Sequence, residues 1–176
     1  MRHLFATVML ASLLCTVGCA SMNQTPIKTV DRVDIPKFMG SWYVIGSIPT
    51  VFEKNAYNAV ESYEQNSDGT IRTTFTYHKG SFEGPVKTMK PTGFIRDASN
   101  ANWGMRVLWP FKSEYLIAYL NEDYSQTIIA RNSRDHVWIM AKKPQISDAD
   151  YQRLVERAGA MGYDTAKIER VPQRWP

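Results

Sequence analysis

The chain has 176 residues, of which 44% are hydrophobic and 22% are charged, and its formal net charge at pH 7 is +4. This size suits one domain with a sizeable core. The positive charge is spread along the sequence rather than clustered, so nucleic acid is not expected as a partner. The two cysteines, Cys15 and Cys19, both lie near the start of the chain. The domain that follows them must therefore be stabilised by packing and not by a disulfide.

The first nineteen residues have the features of an export signal. Met1 and Arg2 give a positive start, and the mostly apolar run from Leu4 to Leu14 is too short to span a bilayer as a helix. The segment Thr16-Val17-Gly18-Cys19 resembles a bacterial lipobox, which implies cleavage before Cys19 and acylation of that residue. An ordinary secretory signal that happens to contain a cysteine is the alternative.

The lipobox interpretation divides the chain into three parts. Residues 1–18 are a lipoprotein signal peptide, residues 19–37 are the lipid anchor and a polar linker, and residues 38–176 are the folded domain. Ala20, rather than Asp, follows the cysteine, and in Gram-negative lipoproteins this favours the outer membrane. We therefore expect a protein that is anchored to the outer membrane by lipid and faces the periplasm.

From Phe38 onward the sequence alternates in the manner of β-strands, with turn signals about every ten residues. This spacing predicts an all-β sandwich or barrel. The eight predicted strands are 42–48, 56–65, 71–79, 86–96, 103–109, 114–120, 126–131 and 137–142.

One helix is predicted after the strands. Ser147 is a suitable N-cap, and apolar residues recur at helical spacing from Tyr151 to Met161. Gly162 is suited to end the helix in a left-handed conformation. We expect the helix to pack with one face on the outside of the sheet and a short final strand to follow at Ala166–Val171.

Three short motifs link this order of elements to a known family. Gly40-Ser41-Trp42-Tyr43 resembles the Gly-x-Trp motif of the lipocalins, at the start of the first strand. Asn121-Glu122-Asp123-Tyr124 resembles their Thr-Asp-Tyr motif, with Glu122 in place of Thr, and Lys142 stands where the family has Arg. The local pattern Trp109-Pro110-Phe111 is similar to that of the bacterial outer-membrane lipoprotein lipocalins, relatives of apolipoprotein D.

The resemblance implies a fold and a structural role for the motif residues. The fold is an eight-stranded antiparallel up-and-down barrel with one C-terminal α-helix packed outside and a short final strand. Trp42 would plug the closed end, and Lys142 would cover it with its stem and place a cation over the ring. Gly40 and Asp123 belong to the same structural motifs.

Alternate strand positions are expected to line one apolar cavity. The resemblance implies that this cavity holds a fatty acid or lysophospholipid, and we expect tyrosine hydroxyls to fix the head of the ligand. The candidate ligand-binding residues are Phe75, Tyr77, Met105, Val107, Trp109, Tyr115, Ile117, Tyr119, Trp138 and Met140.

The sequence leaves two alternatives to a lipid carrier. The first is a structural or interaction lipoprotein of the envelope whose barrel is solid. The second is a lipid-modifying enzyme, but His78 and His136 are isolated and no Gly-x-Ser-x-Gly elbow occurs. We therefore expect no catalysis, no cofactor and no metal site. A homodimer is left open. Trp109-Pro110-Phe111 at a strand end could contact a headgroup, a membrane surface or a second subunit, and packing of a loop explains it equally well.

Overall fold

In the computed structural model, which describes residues 25–175, ten strands and two α-helices follow one another along the chain. The elements are α1 (Ile35–Phe38), β1 (Gly40–Ile48), β2 (Ala56–Gln65), β3 (Ile71–Lys79), β4 (Val86–Met89), β5 (Thr92–Ile95), β6 (Asn102–Arg106), β7 (Ser113–Leu120), β8 (Gln126–Ala130), β9 (Val137–Ala141), α2 (Asp148–Ala160) and β10 (Glu169–Arg170). The predicted signal peptide and Cys19 lie outside the described residues.

The strands form one closed antiparallel sheet. Apart from β4, which pairs only with β3, the strands from β1 to β9 pair in chain order, and β9 pairs back with β1 to close the barrel. The predicted fourth strand, 86–96, is broken at Lys90-Pro91 into β4 and β5, which both pair with β3. Proline has no amide hydrogen for the ladder, so the break falls where the sequence places Pro91. The predicted eight-stranded up-and-down barrel is confirmed, with β4 and β5 together counting as one strand.

The two ends of the barrel differ. At the closed end, α1 crosses the opening and its Phe38 is fully buried against Trp42, with ring centroids 5.0 Å apart. The side chain of Asp34 caps this helix by accepting from the amide of Lys37. At the open end lie the β1–β2 loop (49–55), the β3–β4 loop (80–85), the β6–β7 loop (107–112) and the β8–β9 loop (131–136).

The closed half of the barrel is packed solid with aromatic side chains. Phe38, Trp42, Tyr63 and Trp103 are all fully buried there. Trp103 stacks on Tyr115 with a centroid distance of 5.5 Å, and its indole nitrogen donates to a main-chain carbonyl 2.7 Å away. Buried aromatic rings in such edge and stacked arrangements stabilise the domain beyond their buried area. The open half is where an internal space remains.

The helix α2 packs on the outside of the barrel, as predicted. Ser147 caps it by accepting from the amide of Asp150, and Tyr151, Leu154 and Ala158 are buried against the sheet. The predicted final strand is shorter than expected: a 3-10 turn takes up Thr165–Lys167, so only β10 pairs with β1.

The segment before α1 belongs to the folded domain and is not the free linker that the sequence predicted up to residue 37. Ile27 and Val33 are buried, and the amide of Val33 donates to the carbonyl of Ser99 over 2.8 Å. The segment was predicted to be a linker because most of its residues are polar, although its few apolar side chains attach it to the barrel. Across residues 25–175, no helix is both long and apolar enough to cross a bilayer.

Candidate functional site

A cavity of about 430 Å³ occupies the open half of the barrel. Its volume lies within the range of small-molecule sites, and its walls are mostly apolar. The wall residues come from the strands and from three of the loops at the open end, namely β1–β2, β6–β7 and β8–β9. They are Thr50, Val51, Phe52, Glu53, Glu61, Phe75, Met89, Pro91, Met105, Val107, Leu108, Phe111, Ser113, Glu114, Tyr115, Arg131, His136 and Trp138.

Five of the ten predicted ligand-binding residues lie on this wall. Phe75, Met105, Tyr115 and Trp138 project from their strands as the alternation predicts, and Val107 lies at the rim. The four strand residues are part of the barrel's interior cluster. The alternation of strand residues therefore identifies part of the wall correctly, but it does not tell how deep along each strand the cavity reaches.

Three predicted residues face the interior without lining the cavity. Ile117 and Met140 are fully buried in the packed cluster of the closed half. Tyr77 is buried as well, and its hydroxyl donates to the carbonyl of Phe52 over 2.6 Å. The closed half is filled because α1 and the aromatic side chains of several strands pack together there. This packing cannot be predicted from the alternation within any single strand.

The predicted inward face of Tyr119 is wrong. The pairing of β7 with β8 shifts between Ile117 and Tyr119, which marks a β-bulge at that point. A bulge adds one residue and reverses the faces that follow it. Tyr119 therefore packs in the outer cluster under α2, where the guanidinium of Arg157 lies 4.4 Å from its ring centroid.

The predicted fifth strand is also too long. It was expected to extend from Trp103 to Trp109, but β6 ends at Arg106, and the following residues form an exposed loop. Trp109 is 81% exposed and does not lie on the cavity wall. The alternation of apolar residues continues past Arg106 in the sequence, but residues 107–112 pair with no neighbouring strand and therefore form a loop.

Sequence reasoning missed a buried carboxyl group on the cavity wall. Glu61 is only 8% exposed and projects inward from β2, on the same face as Ala59 and Tyr63. Burial raises the pKa of its carboxyl to about 7, with a smaller contribution in the same direction from the charge of Glu53. The neighbouring Tyr63 hydroxyl lowers the pKa in part. The sequence offered one indication of this, because Glu61 stands two positions before Tyr63 on β2 and therefore shares its face of the strand.

Two tyrosine hydroxyls pair at the inner end of the cavity. The hydroxyls of Tyr63 and Tyr115 form a hydrogen bond, and burial raises the pKa of both phenols well above the usual value. The Tyr115 hydroxyl is thus already engaged deep in the barrel, and that of Tyr77 is engaged with a main-chain carbonyl. The expectation that these tyrosines fix the head of a ligand is not supported by this geometry.

Charged side chains gather at the rim instead. Arg131 lines the cavity, and its Nη1 lies 3.2 Å from the carboxylate of Asp135. Among the described residues, its buried Nε has no hydrogen-bond partner. His136 also lines the cavity, with its Nδ1 3.3 Å from the carbonyl of Ile48. On the same wall, Glu114 accepts from the main chain and side chain of Asn132.

The structural motif residues lie at the closed end. The indole nitrogen of Trp42 donates to the carbonyl of Phe38 over 2.8 Å. The ammonium of Lys142 lies 4.2 Å from the Trp42 ring centroid and donates to the carbonyl of Met39 over 2.7 Å. Partial burial lowers the pKa of Lys142 to about 8. Lys142 thus reaches both the ring and the carbonyls without the planar fork of an arginine.

The two remaining motif residues shape turns beside this end. Gly40 has a φ of +88°, which side chains rarely adopt. The carboxylate of Asp123 accepts from the main chain and side chain of Ser125 and so holds the β7–β8 turn. Over residues 25–175, no group of three or more His, Cys, Asp or Glu side chains is placed to hold a metal ion.

The comparisons with known proteins agree with this architecture. A family model described as a lipocalin-like domain matches residues 33–173. The outer membrane lipoprotein Blc of Citrobacter freundii is 27% identical over 176 residues, which cover 98% of each chain. Temperature-induced lipocalin-1 of Arabidopsis thaliana is 29% identical over 157 residues, which cover 84% of this chain and 83% of the relative.

Solved structures show the same fold. The cockroach major allergen Per a 4 superposes with a TM-score of 0.62 at 20% identity, covering 84% of this chain and 94% of the allergen. Insecticyanin of the tobacco hornworm Manduca sexta gives a TM-score of 0.63 at 14% identity, with 84% of each chain covered. The extent of the family match, the closed barrel and its one-ended cavity together show that the chain belongs to the lipocalin family, in the branch of the bacterial Blc lipoproteins.

Proposed function

We propose that the barrel binds one fatty acid or lysophospholipid and carries or stores it at the bacterial outer membrane. Lipocalins are in general binding or carrier proteins that take hydrophobic ligands into the barrel. The observation that supports the finer proposal is the cavity itself, which has apolar walls, one closed end and an open end with charged groups at its rim. We propose no enzymatic step.

Apolar burial is sufficient to drive the proposed binding. Each methylene transferred from water contributes on the order of 0.8 kcal/mol. A tail of about a dozen carbons therefore contributes about 10 kcal/mol, against association costs of several kcal/mol. A cost of about 4 kcal/mol leaves about 6 kcal/mol, which corresponds to a Kd of tens of micromolar, and each further buried methylene tightens binding about fourfold.

The charges on the wall favour one orientation of the ligand. An anionic head deep in the cavity would lie beside the carboxyl of Glu61. Among residues 25–175, Glu61 forms no ion pair with a basic side chain that could offset the charge of such a head. At the rim, the guanidinium of Arg131 and the ring of His136 suit a carboxylate or phosphate. We therefore place the tail inside and the head at the open end.

The proposed location follows from the start of the chain and from the relatives. The lipobox-like segment ends at Cys19, whose acylation would tether the mature protein. Relatives from Citrobacter freundii, Vibrio cholerae and Escherichia coli are named outer membrane lipoproteins. We propose the same location here, with the barrel facing the periplasm.

A binding experiment separates the carrier from a solid-barrel envelope protein. Trp138 lies on the cavity wall, so a fluorescent fatty acid that enters the cavity should quench its emission in a saturable way. A Trp138→Phe variant identifies the share of the signal that comes from this residue. Lipid that co-purifies with the protein, identified by mass spectrometry, would name the natural ligand. Absence of saturable quenching in the delipidated protein would refute the carrier function and favour the solid-barrel alternative.

A further inference from the structure

The described part of the chain begins at the open end of the barrel. The carbonyl of Thr25 accepts from the guanidinium of Arg134 over 2.6 Å, and the amide of Ile27 donates to the side chain of Asn132 over 2.7 Å. Arg134 and Asn132 belong to the β8–β9 loop, the loop that contributes to the rim of the cavity. The segment then passes along the barrel to α1 at the closed end. The chain therefore enters the domain beside the mouth of the cavity.

The proposed anchor is only a short distance away in sequence. Cys19 precedes Thr25 by six residues, which span at most about 20 Å when fully extended. The nine residues of β1 extend about 30 Å along the strand, and because barrel strands tilt by about 35–45° the wall is about 21–25 Å tall. An acyl chain on Cys19 would thus hold the open end near the bilayer, and the tether is too short to reach past the closed end.

Exposed apolar side chains surround the mouth. The β1–β2 loop presents Val51, which is 72% exposed, and Phe52. The β6–β7 loop presents Leu108, Trp109 and Phe111, the last of which is 77% exposed. We call these five residues the mouth patch. Soluble proteins rarely leave so many large apolar side chains together in water, and such patches mark sites of contact with a partner or a membrane.

The charges next to the mouth patch suit anionic lipid headgroups. Lys112 directly follows Phe111, Lys54 follows Phe52 after Glu53, and Lys79 ends β3 at the same end of the barrel. The neighbouring carboxylate of Glu53 accepts from the indole nitrogen of Trp138 on the cavity wall. Basic side chains beside interfacial aromatic residues are typical of protein surfaces that bind membranes.

We propose that the open end of the barrel docks on the surface of the bilayer that holds the lipid anchor. The mouth patch would enter the headgroup region, and the lysines would contact anionic lipids. A single-chain lipid would then pass between bilayer and cavity without crossing bulk water. This inference rests on the proposed function, because it uses the proposed acylation of Cys19 and the proposed lipid ligand.

Quenching by bromine in the bilayer tests the proposal directly. The acylated mature protein is reconstituted in vesicles of phosphatidylethanolamine and phosphatidylglycerol that carry brominated acyl chains, and tryptophan emission is measured. We expect quenching in the wild type and loss of most of it in Trp109→Phe. Trp175→Phe is the matched control, because Trp175 is also exposed but packs on Tyr43 on the outer wall. Equal quenching in the wild type and in Trp109→Phe would overturn the proposal.

A second measurement distinguishes the bilayer from another copy of the chain. Sedimentation of the full-length Cys19→Ser protein, alone and with Leu108→Ser, reports self-association through the mouth patch. We expect no self-association that depends on Leu108. Self-association that the substitution abolishes, together with unquenched Trp109, would assign the patch to a second copy and refute membrane docking.

The fluorescent fatty acid titration keeps the two proposals apart. Saturable binding without quenching of Trp109 by brominated lipid would refute docking and leave the carrier function intact. Absence of saturable binding would refute the carrier function itself.

Discussion

The most informative perturbation is Glu61→Gln, because it removes a buried charge and keeps the shape of the side chain. The pKa of the Glu61 carboxyl rises from 4.5 to about 7 on folding, chiefly through burial. One pKa unit corresponds to about 1.36 kcal/mol, so the difference is worth about 3 kcal/mol. At pH values above 7 the folded state must therefore hold a carboxylate that the unfolded chain solvates freely.

The sign of the pH dependence follows from the raised pKa. Well below pH 4.5 both states are protonated, and Glu61 does not reduce stability. As the pH rises from 4.5 to about 7, the unfolded state loses the proton first and stability falls. Above that range the loss is complete. Glutamine imitates the protonated acid at every pH, so the variant should lack this decline.

Denaturant unfolding measured at a series of pH values gives the required free energies. From about pH 5 to about pH 8, Glu61→Gln should become more stable than the wild type by a margin that grows to about 3 kcal/mol. Glu64→Gln is the matched control, since Glu64 lies on the same strand but is exposed and paired with Arg72. A difference between Glu61→Gln and the wild type that does not change with pH would show that the Glu61 carboxyl is solvated, and the reasoning would be refuted.

The same group should couple lipid binding to pH. A tail in the cavity removes water from Glu61, which favours its neutral form further. We expect lysophosphatidylcholine, whose head does not titrate near neutral pH, to bind the wild type more tightly as the pH falls through about 7. Glu61→Gln should bind it with little change over that range. Equal pH profiles for the two proteins would contradict the coupling.

Three further substitutions test the cavity and the closed end. Met89→Trp should fill part of the cavity and weaken fatty acid binding at least about tenfold. Thr88→Trp, on the opposite face of β4, should leave the affinity unchanged, and equal affinities for the two variants would contradict the assignment of Met89 to the cavity wall. Trp42→Ala should lower the free energy of unfolding by about 3–5 kcal/mol, and an unchanged melting temperature would contradict its core role. Lys142→Met should lower it by about 2 kcal/mol through loss of the carbonyl contacts, and Lys142→Arg should retain most of the stability.

The sequence by itself determined the architecture of this protein. The period-two alternation predicted the strands, and the Gly-x-Trp motif with the late amphipathic helix pointed to the lipocalin barrel. These features are local, because each depends on the pattern within one strand or one helix. The break between β4 and β5 was not predicted, because the alternation indicates one strand over 86–96, and the effect of Pro91 on the sheet is visible only in the pairing.

Only the tertiary structure decided where the cavity lies. The bulge in β7 turns Tyr119 outward, and the missing partner strand leaves Trp109 exposed, although both follow the alternation in sequence. Side chains from α1 and several strands fill the closed half, so Ile117 packs in a solid core while Phe75 faces the open space. The pKa of Glu61 has the same origin. Void space and desolvation depend on side chains that are distant in sequence and meet only in the closed barrel, and no pattern within a single segment contains that information.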